Sequence, residues 1–160
     1  MGPIEAEWDR VAEETRATIE AAAFAPTLPE SDRELSRAER LLAAGHANAS
    51  TNPTAAIVYA FQAARVALKD YLPIEDEDLK ESTLGRLIEL STERNLIDPA
   101  AAVVFSRLEM LGDLAHHSGR QVRTAEQAEE YVKMVKEFMT LLDHSPATVG
   151  RTAAWSAGSE

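Results

Sequence analysis

Apolar positions recur every three to four residues through most of this chain, and nowhere do they alternate with polar ones as a half-buried strand requires. The periodicity predicts six helices. Residues 4–23 carry Trp8, Val11, Ala12, Thr15 and Ile19 at helical spacing between acidic positions. Phe24, Pro26 and Pro29 then break the run, because proline cannot sit inside a helix. A second helix begins at Ser31 or Asp32. Glu34 completes a capping box with Ser31, and Leu35, Ala38, Leu41, Leu42 and His46 form the stripe. Gly45 and Asn48 are expected to loosen its end. Asn52 before Pro53 pairs a cap with a proline at the first helical position, and opens a third helix to about Leu72. Ala55, Ala56, Ala60, Ala63, Ala64 and Ala67 make that helix small-sided on several faces, so it is read as the central one. An acidic loop over 73–78 follows. Ser82 or Thr83 caps a fourth helix running to about Asn95. Asp98-Pro99 repeats the cap-and-proline device for a fifth, stopped by Ser118-Gly119. Thr124 with Gln127 forms a capping box for a sixth, whose wide apolar face includes Tyr131, Val135, Phe138 and Leu142.

Short connections between such helices imply an all-α antiparallel helical bundle of four to five main helices. The expected organisation is an N-terminal helix with a proline-containing linker (1–30), the bundle (31–144) and a disordered tail (145–160). Trp155 in that tail is read as incidental.

Composition narrows the function classes. The 160 residues hold 27 acidic against 16 basic side chains, a formal charge of −11, and no cysteine. Disulfide and thiolate chemistry are excluded. The charge disfavours non-specific nucleic-acid binding, and no DNA partner is expected. The start of the chain is acidic and has no apolar core segment, so no secretory signal is read there. No run approaches the roughly 18 apolar residues of a membrane span. A cytoplasmic protein without membrane contact is the expectation.

Chemistry concentrates near the end of the fifth helix, in Leu111-Gly112-Asp113-Leu114-Ala115-His116-His117. Asp113 and His117 stand at i and i+4 and share a face, so the carboxylate could orient the imidazole and raise its basicity. The alternative, preferred on composition alone, is that His117 caps the helix and interacts with its dipole, worth about 0.3–1 kcal/mol when exposed. His116 points about 100° away from His117. Two adjacent histidines do not make a helical metal site, and no cofactor or metal is expected. His46 and His144 are read as structural. Arg65 and Lys69 form a basic i, i+4 pair, for which the loop over 75–78 offers counter-charges. No P-loop, GxGxxG or nucleophile elbow is present.

Several segments in order resemble one family. Arg40-Leu41-Leu42-Ala43-Ala44-Gly45 with Ala63-Ala64-Arg65-Val66-Ala67-Leu68 is similar to a first helix pair. Thr83-Leu84-Gly85-Arg86-Leu87-Ile88 and Asn95-Leu96-Ile97-Asp98-Pro99 are similar to a linker helix. Gly112-Asp113-Leu114-Ala115-His116-His117 occupies a Gly-Asn-x-Ala-Ala-His-like signature, and Thr124 with Ala128 starts the last helix. Together they resemble the HEPN superfamily (higher eukaryotes and prokaryotes nucleotide-binding domain), over about residues 37–142, in a bacterial branch of unknown function. The resemblance implies a homodimer, here through the central and fifth helices, and a possible defence or toxin–antitoxin setting. Ribonucleases of the family use an Arg-x(4–6)-His motif, two chains sharing one cleft. His117 matches the histidine and Asp113 the polar residue, but the arginine position is Gly112. Arg107 lies ten residues before His117, about 80° away around the helix.

Three functions are therefore expected in order. The first is a non-catalytic binding or interaction module for a nucleotide, RNA or protein partner, with His116, Arg107 and Arg120 as candidate binding residues. The second is a metal-independent endoribonuclease in which His117 and Asp113 are catalytic and Arg120 or Arg107 of either chain supplies the positive charge. The third is a purely structural dimerisation domain.

Overall fold

The computed structural model describes residues 3–22, 36–72, 83–117 and 123–143, without the side chains of 3, 4 and 117. Among these residues all regular structure is helical. The elements are α1 (Pro3–Ala21), α2 (Arg37–Asn48), α3 (Pro53–Tyr71), α4 (Leu84–Glu93), α5 (Pro99–His117) and α6 (Ala125–Asp143). The acidic loop, Arg120, His144 and the expected tail lie outside the described residues.

Local chemistry sets the helix starts. The Asn52 side chain accepts from the Ala55 amide with Pro53 at the first turn. Thr83 caps α4 through the Arg86 amide, and the Asp98 carboxylate accepts from Ala100 N–H at 2.7 Å. Thr124 and Gln127 exchange both bonds of the expected capping box. The second helix corrects the sequence reading. Ser36 is extended and forms a reciprocal box with Glu39, so α2 begins at Arg37. The Ser31/Glu34 pair lies outside the described residues. Both spacings obey the box rule, and sequence alone offers no means of ranking them. His46 is exposed rather than part of the stripe. At the end of α4, Asn95 takes the left-handed conformation, φ 53°. Leu96 N–H donates to Ser91 O and Asn95 N–H to Thr92 O, a Schellman closure that needs a residue tolerant of that region.

α3 is the centre of the bundle. Ala56, Ala60, Ala63, Ala64 and Leu68 are fully buried there, against α2 on one side and α5 and α6 on another. Gly45, expected to loosen α2, instead permits its close crossing: a Cβ there would lie 3.0 Å from Ala56 O and 3.3 Å from Ala60 N. Phe105 of α5 meets Phe61 of α3 at 5.8 Å and Phe138 of α6 at 5.4 Å between ring centroids, in tilted geometries that favour aromatic pairs. α1 packs into the same core, although a proline-containing segment follows it in sequence. Trp8, Val11 and Ala12 are each 1% exposed.

α3 and α5 run antiparallel. Tyr71 near the end of α3 donates to Leu96 O, just before α5, at 3.2 Å. Phe61 in mid-α3 lies beside Phe105 and Gly112. No described helix is long and apolar enough to cross a membrane.

Candidate functional site

α5 continues through His117, so Asp113 and position 117 stand one turn apart on a helix as the spacing requires. Asp113 and His116 are exposed. The side chain of His117 lies outside what is described, as does Arg120. Arg107 is turned away from this group. Its Nη1 donates to Glu14 O at 2.9 Å and to the Thr18 hydroxyl, and its Nε is 3.9 Å from the Glu14 carboxylate. Arg107 thus fastens α1 to α5. The structure brings Asp113 and His116 to one end of α5 and does not bring Arg107 to them.

Gly112, where the resemblance implies an arginine, is half-buried and inward-turned. A Cβ there would meet Tyr131 Oη at 3.5 Å and Phe61 at 3.7 Å, ordinary contact distances. Beneath it, the Tyr131 hydroxyl donates to Leu108 O at 2.8 Å. Burial holds the Tyr131 phenol well above its usual range, and the Asp113 and Glu109 carboxylates push the same way, since each disfavours a nearby phenolate. Tyr131 is therefore a neutral donor that pins α6 to α5 directly under the signature. The sequence places it on the apolar face of α6 but offers no signal for its partner.

A second polar cluster also escaped the sequence. Arg123, just before the cap of α6, is 1% exposed. Its guanidinium lies 5.0 Å over the Trp8 ring and 3.5 Å from the Glu5 carboxylate, which also accepts from Gln127. A cation beside a helix N-terminus is unfavourable in isolation, so Trp8 and Glu5 of α1 offset it. Along the other half of α1 an open groove of about 400 Å³ separates it from α6. Ile19 and Met134 contribute apolar lining, and Glu20, Glu126, Glu129 and Glu137 acidic lining. The Arg16–Glu130 ion pair, at 2.8 Å, joins the two helices there. It contains none of the signature residues. Among the described residues no group of three or more His, Asp or Glu is arranged to hold a metal ion.

Among the described residues the exposed large apolar side chains are Val58 and Tyr59 on α3 and Val103 and Met110 on α5, each 41–44% accessible. No other described helix presents one. At 100° per residue, Val58, Gln62, Arg65 and Lys69 span about 60° of α3, and Val103, Ser106, Met110 and Asp113 about 80° of α5. The two helices are neighbours.

Comparison with protein-family models finds no match, and neither curated proteins nor solved structures supply one.

Proposed function

We propose that this chain is a non-catalytic helical interaction module that works as a homodimer, with α3 and α5 forming its contact face. One observation carries the proposal: among the described residues, all four exposed large apolar side chains fall on these two adjacent helices. Exposed apolar groups scattered singly need no explanation, but confinement to one pair of helices marks an association surface. The resemblance to HEPN proteins supports the same two helices.

A protein partner suits this surface better than RNA. The net charge of −11 and the carboxylates Glu109 and Asp113 beside the signature repel a phosphate backbone. Arg107, the described arginine nearest in sequence to the signature, is held by Glu14 and Thr18 of α1. Arg107 is thereby not placed at Asp113 to stabilise charge developing on a phosphate.

Sedimentation velocity tests the proposal. The wild type should sediment at twice the chain mass at micromolar concentration, and Val58→Glu/Met110→Glu as a single chain with unchanged helicity. The same wild-type preparation should leave transfer RNA intact without metal. A single-chain wild type, or RNA cleavage abolished by Asp113→Ala/His117→Ala, would overturn it.

A further inference from the structure

Resting on this self-association, we infer that the two copies pair antiparallel across a two-fold axis, so that Arg65 and Lys69 of each copy face Glu109 and Asp113 of the other. The α3/α5 face is split by charge along its length. Phe61 lies level with the stretch between Phe105 and Gly112. From there Arg65 and Lys69 lie about one and two turns toward the end of α3. Because α5 runs the other way, Asp113 lies toward the opposite end, with Glu109 leading to it. Among the described residues none of these four side chains forms a salt bridge or hydrogen bond. These four charges sum to zero, on a chain whose charge is −11, while Asp70, also exposed on α3, lies about 120° around from Val58.

A two-fold interface places the same patch on both copies, so it must complement itself. Two orientations of the face are available. If the Asp113 ends meet, two pairs of Glu109 and Asp113 crowd together, four carboxylates against one another. If each Asp113 end meets the other copy's Arg65 end, both ends are matched, and Val58 and Met110 lie between them. Opposed like charges at an interface are costly, and matched ones set its register. This order separates the two signatures, whereas a shared ribonuclease cleft would join them. The carboxylate of Asp113 is then a docking group whose partner is a guanidinium or ammonium of the second copy.

Charge reversal reads this order directly. Arg65→Glu/Lys69→Glu makes both ends acidic, and Glu109→Lys/Asp113→Lys makes both basic. Each variant alone should dimerise about tenfold or more weakly than the wild type. An equimolar mixture should recover wild-type or tighter association as a heterodimer, which also proves both variants folded. The mixed dimer should weaken as salt rises past about 0.1 M, where screening reaches about 10 Å. If the wild type is dimeric and Arg65→Glu/Lys69→Glu remains so, the antiparallel order is wrong while the α3/α5 face stands. If the variants do not recover association on mixing, the order is likewise wrong. If the wild type is a single chain, both the face and the order fail.

Discussion

The smallest scale carries the sharpest physical consequences, because single atoms decide whether helices can touch. Gly45 and Gly85 are both helical glycines, yet their surroundings are opposite. A Cβ at 45 would press on the Ala56 carbonyl at 3.0 Å, whereas nothing lies within 4 Å of one at 85. Gly45→Ala should therefore destabilise the fold by about 1–2 kcal/mol, the clash outweighing a helix-propensity gain of about 1 kcal/mol. Gly85→Ala should stabilise it by about 0.5 kcal/mol. Thermal melts of the two variants should shift in opposite directions, and a fall in both would show that the space around position 85 is misjudged. Tyr131 offers a second residue-level test. The folded protein holds its phenolic proton past the ordinary value of 10.0, at which the unfolded chain releases it. Its contribution to stability is thus complete below pH 10.0 and is lost as pH rises above it. Tyr131→Phe should cost about 1 kcal/mol at neutral pH through the lost bond to Leu108. It should also flatten the alkaline fall in melting temperature above pH 10. An unchanged alkaline fall would locate its cause elsewhere.

At the scale of elements, most of the fold is legible in the sequence, because caps and periodicity are local signals. Asn52-Pro53, Thr83, Asp98-Pro99 and Thr124/Gln127 each act where the spacing places them. The start of α2 was misplaced because Ser31/Glu34 and Ser36/Glu39 satisfy one rule equally, and only the extended Ser36 backbone separates them. What the sequence conceals is non-local. Gly45 reads as a helix loosener until Ala56 and Ala60 are known to face it. Arg123 reads as a polar residue between helices until Trp8 and Glu5, more than a hundred positions earlier, are found around it. The candidate site divides the same way. The positions of Asp113 and His116 near the end of α5 follow from helical spacing. The diversion of Arg107 to α1 does not, since its acceptors, Glu14 O and the Thr18 hydroxyl, lie 93 and 89 residues away in sequence.

On the scale of the whole molecule, charge and apolar surface divide the protein into two faces. One bears the α1/α6 groove, with its glutamates and few cations. The other, formed by α3 and α5, carries the exposed apolar groups and a balanced set of charges. An acidic chain that self-associates must do so where its own charge cancels, and the second face meets that condition. Hydroxyl-radical footprinting at high and low protein concentration tests this most directly, because methionine and tyrosine are reactive and Met110 and Tyr59 are exposed at 44% and 41%. The account predicts that Met110, together with Val58 and Val103, becomes protected as concentration rises, while Arg16 and Lys133 along the groove stay equally accessible. Equal modification of Met110 at both concentrations, or protection confined to the groove, would contradict it.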